Sequence, residues 1–204
     1  MFVSRVVNNA QLGSEDLHIT SEGVAFITSG LALKFSSANY IKYKEENQVI
    51  GQVMLYNFSD PDRGVTELQI FPNETFTLID FRPHGISVLE DKAKGEHLIY
   101  VVNHPYPKPD TVEKFRFKPD TQELIHLKTF TSDALRVSND LALVEEDEFY
   151  ISNFIHSLTP TMKQIETLFQ KPWSNILYFN GSDFREVAEK LVSPNGVVLS
   201  KDKR

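Results

Sequence analysis

Apolar residues along the chain fall into short runs rich in Val, Ile, Phe and Tyr, most of them bounded by Gly, Pro, Asn or Asp, and seldom at helical spacing. The runs predict strands over 23–31, 49–56, 97–103, 112–117, 123–130, 148–153 and 175–179. Branched and aromatic side chains suit a pleated surface, and the breakers end it. Segment 161–169 carries Met162, Ile165, Leu168 and Phe169 on one helical face and predicts a helix. Segment 183–191 fits either a helix capped by Asp183 or a bent strand bearing Phe184, Val187, Ala188 and Leu191. A polar loop is expected at 34–48 and a proline-rich one at 104–110. The predicted class is all-β.

Within this pattern a unit recurs. Four short polar clusters each lead into alternating apolar residues: Ser14-Glu15-Asp16-Leu17, Pro83-His84-Gly85-Ile86, Ser138-Asn139-Asp140-Leu141 and Pro194-Asn195-Gly196-Val197. In the first three a second apolar strand follows, ending in Thr28-Ser29-Gly30, Val102-Asn103-His104 and Ser152-Asn153. From Glu15 to His84, Asn139 and Asn195 the steps are 69, 55 and 56 positions. Recurring units of short strands at such periods predict a β-propeller, in which the innermost strand of every blade runs beside one axis. Glu15, Asp16, His84, Asn139, Asp140 and Asn195 would then converge. Any one of them alone reads more readily as a turn residue or strand cap. Their shared phase favours a common role.

Composition narrows the chemistry. The net charge of −7 and a pI near 5.4 argue against a nucleic-acid partner. No apolar run approaches the roughly 18 residues of a membrane span, and residues 1–9 lack the apolar stretch of a signal peptide. With no cysteine, disulfides, zinc–cysteine sites and thiol nucleophiles are excluded together. Three glycosylation sequons begin at Asn57, Asn73 and Asn180, a faint pointer to the secretory route. The convergent carboxylates and amides are hard oxygen donors that suit calcium better than magnesium or zinc. The adjacent pairs Glu15-Asp16 and Asn139-Asp140 suggest two ions, since strand neighbours point to opposite sides. Of the six histidines, His84 opens one unit's inner strand and His104 closes its second strand. Near a metal-bound water such a pair makes a sensible general base. His18, His97, His126 and His156 read as structural residues.

Several segments resemble the serum paraoxonase/arylesterase family: Gly13-Ser14-Glu15-Asp16-Leu17, residues 23–30, Pro83-His84-Gly85-Ile86-Ser87 and Val101-Val102-Asn103-His104-Pro105. Residues 112–117, 126–129, 138–140 and 187–189 with Asn195-Gly196 continue the likeness in family order. The resemblance implies a calcium-dependent arylesterase/lactonase, a carboxylic ester hydrolase built as a six-bladed β-propeller with two calcium ions in its tunnel. By this likeness Glu15, Asn139 and Asn195 are ligands of the catalytic ion. Asp16, Asp140 and the backbone carbonyl of Ile86 are ligands of the structural one, and His84 with His104 is the catalytic dyad. It also implies a small-molecule ester or lactone substrate, lipoprotein or membrane association, and an extracellular location.

The chain departs from the family in three ways. Residues 1–204 are expected to form a single partial propeller domain of about four blades, without the later blades that supply an Asp–Asn pair to the catalytic ion. The family's clasp disulfide has no counterpart. After Asn153 the family continues Asp-His, whereas Phe154 and Ile155 stand here, so the second histidine of the substrate wall is not matched. The competing expectations are a non-catalytic, calcium-stabilised propeller module with a chaperone-like or protein-binding role, and an inactive truncated isoform.

Overall fold

The computed structural model describes residues 14–31, 42–43, 46–47, 49–91, 96–105 and 107–200. The polar loop expected at 34–48 lies almost wholly outside them, as do residues 1–9 and Gly13. Among the described residues, thirteen strands form three sheets. The first is an antiparallel meander of β1 (Ser14–Ile19), β2 (Val24–Ser29), β3 (Gln52–Asn57) and β4 (Val65–Glu67). The second takes β5 (Gln69–Phe71), β6 (Pro83–Asp91), β7 (Glu96–Asn103), β8 (Thr111–Lys118) and β9 (Glu123–Thr131). Here β6 to β9 form a meander, and β5 pairs parallel to β9 at the outer edge. The third is a meander of β10 (Val137–Glu145), β11 (Glu148–Ile155), β12 (Ser174–Asn180) and β13 (Phe184–Leu191). Segment 183–191 is therefore a strand.

The fourth expected unit departs from the reading of about four blades, because residues 194–200 hold no strand and only three sheets form among the described residues. A helix, α1 (Pro160–Leu168), begins one residue before the expected start, capped by the Thr159 hydroxyl, which accepts Met162 N–H. Its Met162 and Leu168, with the following Phe169, are exposed. The residue it buries is Glu166, whose carboxylate accepts from His156 N, Ser157 N and the Ser174 hydroxyl. No helix among the described residues is long and apolar enough to cross a membrane.

The middle sheet is covered on both faces. Along β7, Ile99 and Val101 join a core shared with Phe26, Val53 and Leu55 of the first sheet. Leu98, Tyr100 and Val102 join a second core with Leu141, Phe149 and Ile151 of the third. A strand buried on both faces reads as a continuous apolar run, because each face has its own core to fill. At Leu68 the chain passes directly from β4 in the first sheet to β5 in the second; this side chain is buried and its N–H donates to Val53 O. The result brings β1, β6 and β10, one strand from each sheet, side by side with β6 in the middle.

Candidate active site

Each of these inner strands is interrupted at the same place. In β1 the pairing jumps from Ser14–Ser29 to Leu17–Ile27, so Glu15 and Asp16 oppose a single residue, Thr28. In β6 it jumps from Pro83–Asn103 to Ile86–Val101 around His84 and Gly85, and in β10 from Ser138–Asn153 to Leu141–Ile151 around Asn139 and Asp140. A bulge releases two residues from strict alternation and re-aims their side chains. The polar clusters of the sequence are these bulges, and the adjoining strands bring them together.

The first residue of each bulge joins one cluster. His84 Nε2 lies 2.9 Å from Glu15 Oε1 and 3.1 Å from Asn139 Nδ2. On its other side His84 Nδ1 lies 2.9 Å from His104 Nε2. Both imidazoles are buried, with 4% and 7% of their residue surfaces exposed. His104 Nδ1 is in turn 2.9 Å from Asp110 Oδ1, and Asp110 Oδ2 accepts Ser138 N–H at 2.7 Å. Asp110 carries no motif and sits in the proline-rich loop, so nothing in the sequence tied it to the histidines.

The second residues stitch neighbouring units together. Asp16 accepts Leu17 N–H on one oxygen at 2.7 Å and Ile86 N–H on the other at 2.8 Å. Asp140 repeats this with Leu141 N–H at 2.7 Å and Val197 N–H at 2.8 Å. Opposite the first bulge, the Thr28 hydroxyl accepts Asp16 N–H at 3.2 Å and donates to His84 O at 2.7 Å. Opposite the third, the Ser152 hydroxyl accepts Asp140 N–H at 3.2 Å and donates to Asn195 O at 2.7 Å. Asn195 and Val197 thus dock on β10 as His84 and Ile86 dock on β1, although Asn195 itself is exposed. A cleft of about 300 Å³ runs between Asp16, Ile86, Asp140 and Val197. Both hydroxyls precede the polar ends of their strands in the sequence, a repeat that could have flagged them.

Burial pushes the Asp140 carboxyl up to about 7, against the hydrogen bonds from Val197 and Leu141, and the neighbouring Asp16 carboxylate adds to the rise. Two carboxylates side by side, with amide and carbonyl oxygens nearby, are a donor set that fits a hard divalent cation of the calcium type. Among the described residues no three His, Cys, Asp or Glu side chains stand in metal-holding geometry.

The remaining histidines have other surroundings. His97 stacks on Phe117, and His126 stacks on Phe76 and pairs with Glu113 at 2.9 Å. His18 lines the cleft beside Asp16 and Asp140. Nδ1 of His97, His126 and His156 has no hydrogen-bond partner among the described residues, and ring packing contributes to the placement of His97 and His126. Of the sequon asparagines, Asn73 and Asn180 are exposed and Asn57 is half-buried. Each folds its side-chain oxygen onto the N–H two residues on.

A family model described as Arylesterase matches residues 2–204. The chain is 36% identical to serum paraoxonase/arylesterase 1 of Homo sapiens over 97% of its own length and 53% of that protein. It is 34% identical to serum paraoxonase/arylesterase 2 of Gallus gallus and 31% identical to serum paraoxonase/lactonase 3 of Oryctolagus cuniculus, each over 98% of this chain and 53% of the relative. The chain thus spans about half the length of the curated relatives it matches. Among solved structures, that of a putative exo-beta-1,3-galactanase from Bifidobacterium bifidum s17 aligns with a TM-score of 0.45 at 13% identity, covering 93% of this chain and 57% of that one.

Proposed function

The chain belongs to the arylesterase family, and from that premise we propose that it carries the catalytic histidines of an ester and lactone hydrolase. The observation that supports this reading is the meeting of Glu15, His84 and Asn139 from three inner-strand bulges, with His104 directly behind His84. His84 Nε2 faces the cluster and takes a proton from an attacking water. The buried His104 holds the His84 ring in place through Nδ1 and shares the charge that results.

Glu15, Asn139 and Asn195 are the residues that would hold a catalytic calcium ion, and Asp16, Asp140 and the Ile86 carbonyl a structural one. When bound, the catalytic ion supplies a Lewis acid that polarises the ester carbonyl and steadies the oxyanion. The three sheets are read as blades of a six-bladed propeller about the axis that β1, β6 and β10 share, with residues 195–199 in the inner-strand place of the next blade. The finer expectations go with this reading: a small ester or lactone as substrate, an extracellular or membrane- or lipoprotein-associated setting, and glycosylation at the three sequons.

The test is hydrolysis of an aryl acetate and of a lactone by the purified chain, with calcium and after chelation. Calcium-dependent turnover that falls at least about a hundredfold in His84→Gln is the expected result. Turnover unchanged in His84→Gln removes the dyad from the mechanism. A folded, calcium-binding chain without turnover assigns it instead to the non-catalytic module reading.

A further inference from the structure

The histidine pair does not end at His104. We propose that Asp110 is a positioning residue that holds His104 in its Nδ1–H tautomer and, through it, sets the ring of His84. This rests on the hydrolase reading for its purpose, but not for its geometry.

The hydrogen positions follow from what each group is able to do. A carboxylate only accepts. Asp110 Oδ2 already accepts Ser138 N–H at 2.7 Å, and Oδ1 lies 2.9 Å from His104 Nδ1. That nitrogen must therefore carry the hydrogen. A neutral imidazole has a single N–H, so His104 Nε2 is an acceptor. The hydrogen in the 2.9 Å contact between the rings then belongs to His84 Nδ1. His84 Nε2 faces the site, with the Asn139 amide nitrogen 3.1 Å and Glu15 Oε1 2.9 Å away.

In a turnover the water gives its proton to His84 Nε2 as its oxygen bonds to the acyl carbon and the carbonyl π pair moves onto oxygen. That pair then returns, the acyl–oxygen bond to the leaving group breaks, and the departing oxygen takes the proton from His84 Nε2. The bonds from His84 Nδ1 to His104 and from His104 to Asp110 keep their hydrogens, while the new positive charge is balanced from behind by the carboxylate. Asp110 is also placed with care relative to the site. Its second oxygen holds Ser138, the residue immediately before Asn139, so one side chain sets both the dyad and the entry to the third bulge. Without the carboxylate the chain of donors is free to reverse. His104 Nε2–H would then donate to His84 Nδ1, and the proton would be trapped on Nε2.

Ring-nitrogen NMR of the histidine-labelled 204-residue chain tests the assignment without any turnover. His104 protonated on Nδ1 and His84 on Nδ1 is expected; His104 protonated on Nε2 overturns the proposal. Asp110→Asn preserves shape and the Ser138 bond. It should move His104 toward the Nε2–H tautomer and lower kcat at least about a hundredfold while KM stays within about twofold. An unchanged tautomer or unchanged kcat in a folded Asp110→Asn protein overturns it. Should that variant not fold, the wild-type spectrum decides. If the chain hydrolyses no ester, the hydrolase reading fails separately, since the tautomers are read from the spectra alone.

Discussion

The contact between the second and third bulges is the most sensitive point of the site, and Gly85 sits in it. A Cβ built on Gly85 would lie 2.5 Å from the Asn139 carbonyl oxygen, 2.5 Å from Asp140 Cα and 2.8 Å from Asp140 Oδ1. Ordinary carbon contacts are about 3.5 Å or more, so the backbone opposite would have to retreat by roughly 1 Å. It is held against doing so. Ser138 N–H is fixed by Asp110 and Asp140 N–H by Ser152, and Asp140 spans to Val197. Overpacking costs roughly 1–3 kcal/mol where neighbours are able to shift; with backbone on the far side, Gly85→Ala is expected at the upper end, about 3 kcal/mol. For a chain of this size that is a fall in Tm of roughly 6–12 °C. Gly196→Ala is the internal control, because its Cβ would meet only Asp140 Oδ2, at 3.7 Å. Its stability should stay within about 0.5 kcal/mol of wild type. Urea and thermal unfolding of the three proteins side by side give the answer. Equal stability of Gly85→Ala and Gly196→Ala would refute the close approach of the bulges, and with it the geometry on which the site rests.

Two further outcomes follow from the same structure. Calcium at a hundredfold excess over its Kd should raise the unfolding free energy by about 2.7 kcal/mol. The shift should vanish in Asp140→Ala, and a cooperative transition indifferent to calcium in the wild type would refute ion binding between the bulges. The second outcome concerns Glu113, for which burial opposes ionisation, yet hydrogen bonds from His126, Thr111, Thr129 and Asn103 hold its pKa below the ordinary 4.5. A depressed folded-state pKa gives stability that is complete above about pH 4.5 and is lost as pH falls through the lower folded-state value. Glu113→Gln should therefore be less stable than wild type at neutral pH and approach it in acid. Parallel pH–stability curves for the two proteins would show that these bonds do not act on the ionised form.

Much of the fold is legible because the residues that build it act locally. β7 could be read from its run of apolar residues, since Ile99 and Val101 serve one core and Leu98, Tyr100 and Val102 the other. The polar clusters were legible as a repeat because a bulge needs two consecutive exceptions to alternation, and polar pairs at a fixed phase record that. Three features were not legible. The edge strand β5 is three residues long, and its parallel pairing with β9 depends on the sheets already being adjacent. Segment 161–169 has helical spacing, but the side chain that fixes the helix is Glu166, a carboxylate gathering donors from the β11–α1 connection and from Ser174. Asp110 meets His104 across a loop whose path no local pattern dictates.

The bulges divide their work between their two positions, and the division explains an alternation in the sequence. Of the first positions, Glu15, His84 and Asn139 meet in one cluster, while Asn195 is exposed and docks through its backbone carbonyl. The second positions run Asp16, Gly85, Asp140, Gly196. Each aspartate reaches past the following glycine to the N–H beyond it, Asp16 to Ile86 and Asp140 to Val197. A side chain at the glycine would occupy that route at Gly85, where Asp140 already presses from the other side. Four aspartates around one axis would also crowd like charges, and the Asp16 carboxylate already adds to the rise of the Asp140 carboxyl. Alternating carboxylate and glycine therefore meets both demands: every second unit supplies the acceptor, and the unit between supplies the space. A single divalent ion between Asp16 and Asp140 would complete the charge balance that this spacing leaves open.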